Sequence, residues 1–340
     1  MKSLKRGSRL ITLMISVFII GMIVLIAKIQ MEASFYISNS GSRNLGYIYD
    51  RNGDIIFDDN AENGQYPDGY FKDLGNLIGD ASGQMTNTLV AKNLEKLSNY
   101  SFTSGITYKG GKAAIYSTLS HEANEAVYSA FGDKDGCAIA YNYKTGEILV
   151  CVSRPSVDPL KGYEDLAEGS LLCKAFYKTV PGSTQKIATL ISAVETMGMD
   201  ALMEKSFTCN GVYTNNTGLD IVCHNEYGHG TQNIREAFAN SCNPFFAQLV
   251  EDSGWSLSDI EDCYKKLGYS VNGSEETEIS IDGIISSKAS TTLEDKNEFN
   301  TQWSCIGQGT SLVSPCQLMM WQSAIAVSYT HLTLPTNSRV

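Results

Sequence analysis

A serine and a lysine three residues apart could form a nucleophile and its base. They are Ser183 and Lys186 in the segment VPGSTQKIATLISAVE, where Pro181-Gly182 marks the start of a predicted helix. Burial in a low-dielectric cleft disfavours the charged ammonium of such a lysine and lowers its pKa. The neutral amine, one helical turn away, can then accept the serine proton, and amide N–H groups at the helix start can stabilise an oxyanion. An N-capping serine beside a solvent-reaching lysine is the alternative interpretation.

The helix that must position this pair carries an apolar stripe. Its members recur with the i, i+3, i+4, i+7 spacing of one helical face and are Ile187, Leu190, Ile191 and Val194. At 100° per residue, Ser183 falls within the stripe and Lys186 on its flank. We therefore expect the helix to bury this stripe and to place the ammonium beside the hydroxyl.

A second polar group of residues, Ser241-Cys242-Asn243, lies between two helical patterns in NIREAFANSCNPFFAQLVEDSG. Pro244 suits the first position of a new helix and disfavours the α conformation at Asn243. We therefore expect Ser241 and Asn243 in an interhelical turn, where Ser241 could relay a proton and Asn243 could hydrogen-bond a substrate amide. The alternative is a helix break rich in Ser and Asn with no catalytic role. The Ser-x-Asn tripeptides at 42–44 and 270–272 lack this helical context.

The first 28 residues predict a membrane anchor. Four cations, at positions 2, 5, 6 and 9, precede an uncharged apolar run over 10–27, which as a helix would be about 27 Å long, close to the hydrocarbon thickness of a bilayer. The positive-inside rule then keeps the N-terminus cytoplasmic and places the remaining chain outside the cell. A cleaved signal peptide is the alternative, but the run is long for one and Lys28 follows it directly.

Composition excludes some classes of function. The 26 Lys and Arg are outnumbered by 37 Asp and Glu, which gives a net charge of −11 and argues against nucleic-acid binding. Nine cysteines are widely spaced without a Cys-x-x-Cys pair, a pattern typical of neither a zinc ribbon nor a disulfide knot. We expect no metal site and no cofactor, although Cys209 and Cys223 flank a Gly/Asn-rich loop and could pair.

The order of the predicted elements indicates an α+β fold. A hairpin around Asn52-Gly53 is followed by a polar region with one helical stretch near 88–97 and an amphipathic helix over 119–131. Two apolar strands then meet at Lys144-Thr145-Gly146, and helical patterns dominate from Pro181 onward. We assign a cytoplasmic tail to 1–9, a transmembrane helix to 10–28, a juxtamembrane module to 29–118 and a second domain to 119–326.

These motifs resemble those of penicillin-binding proteins and serine β-lactamases, in which Ser-x-x-Lys is followed by Ser-x-Asn. The segments IYDRNG, YKTGEILVCVSRPSVDP, HGTQNIREAFANSCNPFFAQL and IGQGTSLVSPCQLMMWQSAIA are closer to penicillin-binding proteins. The resemblance implies a D,D-transpeptidase in which Ser183 attacks peptidoglycan stem peptides and is acylated by β-lactams. Lys186, Ser241 and Asn243 match the family's supporting positions. His229-Gly230 and Gly307-Gln308-Gly309 match landmarks without an assigned role.

The length of the chain favours one subtype within this family. About ninety residues separate the anchor from residue 119, too few for a glycosyltransferase domain, so the monofunctional class B-like type fits better. That type implies a polytopic glycan-polymerising partner in the membrane. Two other kinds of protein remain as alternatives. A serine β-lactamase or D,D-carboxypeptidase shares the Ser-x-x-Lys and Ser-x-Asn motifs. A membrane-anchored β-lactam sensor or divisome scaffold shares the architecture but has no turnover.

The sequence departs from the family pattern after residue 326. The family's Lys-Thr-Gly motif follows the Gly-Gln-Gly segment, whereas the one here, at 144–146, precedes the nucleophile and has the composition of an ordinary turn. Val327 to Thr336 back-translates to DNA that resembles a transposon-end sequencing adapter. We therefore expect 327–340 to be a non-native tail, the transpeptidase domain to be incomplete before its Lys-Thr-Gly motif, and the 340-residue chain to be impaired.

Overall fold

The structure is a computed structural model, and it forms two compact units. The first comprises Met1–Asp133 and Pro155–Leu172, and the second comprises Lys134–Arg154 and Cys173–Val340. The residues described in the structure are 2–31, 45–59, 72–98, 100–101, 105–106, 113–158, 161–273 and 278–327. Of the expected tail over 327–340, all but Val327 therefore lies outside the described residues.

The N-terminal helix α1 (Lys2–Met31) contains a candidate membrane span. Its segment Ile11–Ile29 has 19 residues and a mean hydropathy of 2.5. At 1.5 Å per residue this segment is about 28 Å long, which suits the hydrocarbon core of a bilayer. A single apolar helix at this position fits the membrane anchor predicted from the sequence.

The remainder of the first unit is built from short elements. Strands β1 (Tyr47–Tyr49) and β2 (Ile55–Asp58) form the hairpin predicted around Asn52-Gly53. The other elements of this unit are β3 (Tyr100–Ser101), β4 (Gly105–Ile106), β5 (Ala114–Tyr116), α2 (Gly75–Ile78), α3 (Leu89–Lys92), α4 (Leu94–Leu97) and α5 (His121–Ala130). In the three-stranded sheet, β1 lies between β2 and β5, antiparallel to the first and parallel to the second.

Helix α5 belongs to the first unit, whereas the sequence analysis began the second domain at residue 119. Hydrogen bonds tie the start of this helix to the hairpin turn. The N–H of Arg51 donates to the carbonyl of Leu119 at 2.9 Å, and the N–H of His121 donates to the Asp50 carboxylate at 3.3 Å. The domain boundary in the structure therefore follows this helix, at Asp133.

The second unit begins with an antiparallel ribbon of β6 (Gly136–Tyr141) and β7 (Ile148–Arg154), as predicted. The Lys-Thr-Gly tripeptide at 144–146 occupies the turn of this ribbon, with Gly146 at a φ of 78°. The remaining strands are β8 (Ser206–Cys209), β9 (Val212–Thr214), β10 (Asp220–Val222), β11 (Gly230–Asn233), β12 (Ser270–Val271), β13 (Ile279–Ile281), β14 (Ile284–Ser286) and β15 (Ser290–Thr291).

Helices form the core of the second unit around helix α6. They are α6 (Lys186–Met197), α7 (Met199–Glu204), α8 (Ile234–Ala239), α9 (Asn243–Glu251), α10 (Leu257–Lys266), α11 (Phe299–Ile306) and α12 (Pro315–Val327). Short 3₁₀ helices cover Lys174–Phe176 and Gly182–Gln185. Large buried side chains, among them Phe245, Phe246, Tyr264 and Trp321, fill the space between these helices. The mixture of helices and strands confirms the predicted α+β class.

Helix α6 packs the predicted stripe against the core and also buries side chains outside that stripe. Apart from Ile191, a member of the stripe, the buried side chains of this helix are small or polar, namely Lys186, Ala188, Thr189, Ser192 and Ala193, whereas Ser183 is exposed. Three of the four stripe residues are only half-buried, and all four line an apolar groove of about 310 Å³. The polar face is stable inside because its hydroxyls are satisfied. Thr189 Oγ1, for example, lies 2.8 Å from the Tyr264 hydroxyl and 2.5 Å from the Cys305 carbonyl.

Candidate active site

The turn that carries Ser183 is held on both sides by residues distant in sequence. Gly182 donates its N–H to the carbonyl of Gly307 at 2.9 Å. The buried Gln185 accepts a hydrogen bond from the Tyr269 hydroxyl through its side-chain oxygen. Tyr269 is itself stacked on Trp321, with ring centroids 5.3 Å apart. The backbone before Lys186 is therefore fixed, while the Ser183 side chain stays exposed at the surface.

Gly307 explains why a glycine is required in the Gly-Gln-Gly segment. It ends helix α11 in a left-handed conformation with a φ of 102°. A Cβ atom at this position would lie 1.7 Å from the carbonyl oxygen of Gly182. The segment that the sequence analysis left without a role is therefore packed directly against the serine turn.

The Ser-x-Asn residues lie between helices α8 and α9. Asn233 and Glu236 form a capping box at the start of α8. That helix ends in a turn where Ser241 has a φ of 50°, an uncommon conformation for a residue other than glycine. The predicted interhelical position is confirmed for Ser241. Asn243 is already the first residue of α9, with Pro244 behind it, so the helix starts one residue earlier than predicted.

Lys186 joins all the predicted site residues through its ammonium nitrogen. The Nζ atom lies 3.2 Å from Ser183 Oγ and 3.0 Å from Ser241 Oγ. It also lies 2.7 Å from the Ser241 carbonyl and 2.7 Å from Asn243 Oδ1. The side chain is only 1% exposed. The four predicted residues thus meet at one buried amine, although 55 residues separate Lys186 from Ser241.

The environment of Lys186 favours its neutral form. Burial lowers the pKa of Lys186 from 10.5 to about 8, and the nearby thiols of Cys242 and Cys223 offset part of this decrease. The Phe246 ring, with its centroid 5.5 Å from Nζ, favours the charged form in return. A pKa near 8 leaves a substantial fraction of neutral amine at physiological pH.

The hydrogen bonds of Lys186 are also compatible with a neutral amine. A neutral amine has two N–H groups and one lone pair, whereas an ammonium has three N–H groups. The Ser241 carbonyl and Asn243 Oδ1 can only accept, so they would keep the two N–H groups. The hydroxyls of Ser183 and Ser241 can donate, and either could direct its proton to the lone pair. The site can therefore deprotonate Ser183 and exchange protons with Ser241.

A cavity of about 330 Å³ lies beside Asn243. Its lining is mostly apolar and comprises Asn243, Phe299, Asn300, Trp303, Gln308 and Gly309. The Asn243 amide also donates to the carbonyl of Val222 at 3.0 Å, which holds the side chain at the rim. The sequence analysis missed Phe299 and Trp303. The available signal was the aromatic pair on the helix that leads into Gly-Gln-Gly.

Four side chains next to the Ser-x-Asn turn could together hold a metal ion. Cys209, Cys223, His229 and Cys242 each offer a ligand atom, and these atoms all lie within 4.8 Å of one another. All nine cysteines are free thiols, including the pair Cys209 and Cys223 that the sequence analysis left open. The sequence analysis expected no metal site, and the structure brings these four side chains together from separate segments of the chain.

The fold and the site together define a class of protein. A Ser-x-x-Lys helix start that faces a Ser-x-Asn turn is the arrangement shared by penicillin-binding proteins and serine β-lactamases. A family model described as "Penicillin binding protein transpeptidase domain" matches residues 136–337, more than half of the 340-residue chain. The chain therefore belongs to the penicillin-binding protein transpeptidase family, as the sequence motifs predicted.

Two curated relatives carry related names. Stage V sporulation protein D of Bacillus subtilis is 37% identical over 121 residues, which covers 34% of this chain and 18% of that protein. Peptidoglycan D,D-transpeptidase PbpA of Mycolicibacterium smegmatis is 29% identical over 174 residues, which covers 45% of this chain and 35% of that protein. The chain thus spans well under half the length of these relatives.

Solved structures show the same fold. The crystal structure of PBPA from Mycobacterium tuberculosis has a TM-score of 0.69 and 19% sequence identity, and the match covers 84% of this chain and 71% of that one. The same protein has been solved as a penicillin G acyl-enzyme complex, with a TM-score of 0.68 and 18% identity. At this identity the likeness establishes the fold.

Proposed function

We propose that the parent of this chain is a peptidoglycan D,D-transpeptidase that works through an acyl-enzyme on Ser183. The observation that carries this proposal is the buried Lys186 amine, which lies within hydrogen-bond distance of Ser183, Ser241 and Asn243. The names of the relatives support the reaction class, and the penicillin G acyl-enzyme of the mycobacterial protein supports acylation by β-lactams.

The site residues divide the acylation step among themselves. Neutral Lys186 takes the hydroxyl proton of Ser183 as Oγ attacks the carbonyl of the penultimate D-Ala in a stem peptide. Asn243 hydrogen-bonds the peptide amide and holds the carbonyl near the nucleophile. Ser241 relays the proton to the nitrogen of the terminal D-Ala, which leaves as the free amino acid.

The second half-reaction uses the same groups in reverse. An amine from a neighbouring strand attacks the acyl-enzyme and loses a proton to the Ser241–Lys186 pair. The ester bond to Ser183 breaks, its Oγ regains a proton, and a cross-linked peptide is released.

The anchor and the charges around it define the setting of this reaction. We propose that the N-terminus lies in the cytoplasm and the second unit outside it, because all four cations of the first nine residues precede the apolar span. A membrane-embedded glycan polymerase would then supply the nascent strands whose stem peptides this site cross-links.

Residues 1–340 by themselves should react slowly. The sequence has no Lys-Thr-Gly after Gly-Gln-Gly, and the Lys-Thr-Gly at 144–146 lies in the turn between β6 and β7. In the family, the strand with this motif supplies an oxyanion-hole N–H and groups that hold the substrate carboxylate. Loss of one oxyanion-hole donor costs about 10²–10³ in rate.

Labelling with a fluorescent penicillin tests the proposal. The full chain in detergent, and the same chain extended by genuine downstream codons, are incubated with the probe, and the modified peptide is identified by mass spectrometry. We expect a slow adduct in the 340-residue chain, a faster one in the extended chain, and both on Ser183. Thr184→Ala is a matched control that removes the neighbouring hydroxyl and should leave labelling intact, whereas Ser183→Ala should abolish it.

Three outcomes would contradict the proposal. An adduct on another residue would remove Ser183 from the mechanism. Rapid turnover of nitrocefin would identify a hydrolase, because a transpeptidase stays acylated for long periods. Retention of cell-wall function by Ser183→Ala in vivo would identify a sensor or scaffold that needs no acylation.

A further inference from the structure

Four potential metal ligands adjoin the Ser-x-Asn turn, and we call them the Cys₃His cluster: Cys209, Cys223, His229 and Cys242. Their ligand atoms all lie within 4.8 Å of one another. Cys209 and Cys242 are buried, while Cys223 and His229 are half-buried. The transpeptidase chemistry proposed above uses none of these four side chains.

Three of the four residues lie at the ends of strands that backbone hydrogen bonds pair, and Cys242 lies in the turn between helices α8 and α9. Cys209 is the last residue of β8, Cys223 follows β10 directly, and His229 precedes β11 directly. The N–H of His229 donates to the Cys209 carbonyl at 3.0 Å, and the N–H of Cys223 donates to the Gly211 carbonyl at 2.8 Å. The backbone positions of these three ligands are therefore set by strand pairing.

Two glycines allow the chain to turn this tightly around the cluster. Gly211 has a φ of 90°, and a Cβ atom there would lie 2.0 Å from the Glu226 carbonyl. Gly228 has a φ of 78°, and a Cβ atom there would lie 2.3 Å from the Cys209 carbonyl. Neither position can hold a side chain without movement of the backbone beside a ligand.

The donor set and the distances suit tetrahedral Zn²⁺. Three sulfurs and an imidazole nitrogen form one of the common structural zinc sites, whereas hard cations prefer oxygen ligands. For Zn–S and Zn–N bonds of about 2.3 and 2.05 Å, a tetrahedral S···N edge is about 3.6 Å long. The distance between Cys223 Sγ and His229 Nδ1 is 3.6 Å.

We propose that the Cys₃His cluster binds one Zn²⁺ and that this ion fixes the turn carrying Ser241 and Asn243. Cys242 stands between those two residues, and its N–H donates to the carbonyl of Ala237 at 2.9 Å. A ligand bond from Cys242 would therefore hold in place a turn in which Ser241 has a φ of 50°. The effect on acylation rests on the proposed function, but metal binding itself does not.

Metal content is the first test. The full chain is purified in detergent under reducing conditions, dialysed, and analysed for metals by mass spectrometry. We expect about one zinc per chain and, after exchange with Co²⁺, the visible absorption of tetrahedral cobalt bound to thiolates. Cys223→Ser removes a half-buried ligand. Loss of a residue that only hydrogen-bonds to a metal ligand lowers metal affinity by about 10–100-fold. Loss of the ligand Cys223 itself should lower the zinc affinity by more than that.

Cys137→Ser is the matched control, because Cys137 is also half-buried and lies outside the cluster. It should bind zinc as the unmodified chain does. If Cys223→Ser fails to fold, the unmodified chain is titrated with a mercurial thiol reagent in the presence of a coloured zinc chelator. Zinc release should then follow modification of the cluster thiols. Three results would overturn the proposal. The chain could hold no zinc after reconstitution, or folded Cys223→Ser could bind zinc with unchanged affinity. The third is a Cys209–Cys223 disulfide in reduced preparations.

The coupling to the active site has its own test. Zinc is removed with a chelator, and the rate of labelling by the fluorescent penicillin is measured before and after Zn²⁺ is restored. Displacement of catalytic groups by about 1 Å can cost about 100-fold in rate, so we expect a loss of that order which Zn²⁺ reverses and Mg²⁺ does not. Unchanged labelling in a zinc-free chain would refute the coupling. Failure of Ser183 to label in every state would refute the proposed function, while the metal analysis would still stand.

Discussion

The rate at which penicillin acylates Ser183 should rise with pH through about 8, the pKa that burial gives Lys186. Below this pH the amine is protonated and cannot accept the serine proton, and above it the amine is a base. At pH 7 a lysine with a pKa of about 8 is roughly 10% neutral, compared with roughly 0.03% for a pKa of 10.5, so burial increases the active form about 300-fold. The rate should change about tenfold per pH unit below pH 7 and level off above pH 9.

Stopped-flow or gel-based measurement of labelling from pH 6 to pH 10 provides the assay. Lys186→Ala should remove this pH dependence and lower the rate by about 10²–10⁴, the usual contribution of a positioned base. Lys144→Ala is the matched control, because Lys144 is exposed in the Lys-Thr-Gly turn and should not affect the profile. A rate that is flat from pH 6 to pH 9 would refute the role of Lys186 as base. A rate that rises only near pH 10.5 would show that the amine is not desolvated in solution.

Three further substitutions separate catalysis from stability. Ser183→Ala should leave the melting temperature within about 2 °C of the original, since an exposed side chain contributes little to stability, and calorimetry would reveal a larger change. Asn243→Ala removes the hydrogen-bond acceptor 2.7 Å from Lys186 Nζ and should slow penicillin labelling by about 10–100-fold. A near-normal labelling rate would contradict this role of Asn243. Gly307→Ala would force a Cβ against the Gly182 carbonyl and should lower the free energy of unfolding by about 2–4 kcal/mol, measured by denaturant titration. A neutral effect of that change would show that the serine turn can move away from helix α11.

Local patterns were sufficient for several elements. The hairpin at Asn52-Gly53 and the strand pair around Lys144-Thr145-Gly146 depend on turn residues and alternation within a few positions, and both are present. The turn at Ser241 follows in the same way from Pro244. The prediction for helix α6 identified the helix and a stripe that packs against the core, but it missed the small and polar side chains that are buried more deeply. These side chains pack closely because they are small or because their hydroxyls are hydrogen-bonded. A search for periodic apolar residues detects neither property.

By itself, the sequence determined which residues could carry the chemistry. Ser183 and Lys186 are one turn apart in any helix that starts at Pro181, because helical geometry relates side chains three positions apart regardless of the rest of the chain. Only the tertiary structure placed Lys186 beside Ser241 and Asn243, and only it assembled Cys209, Cys223, His229 and Cys242. These contacts join segments that are separated by many residues. The packing of whole helices and strands decides which of them meet, and spacing along the chain does not encode that packing.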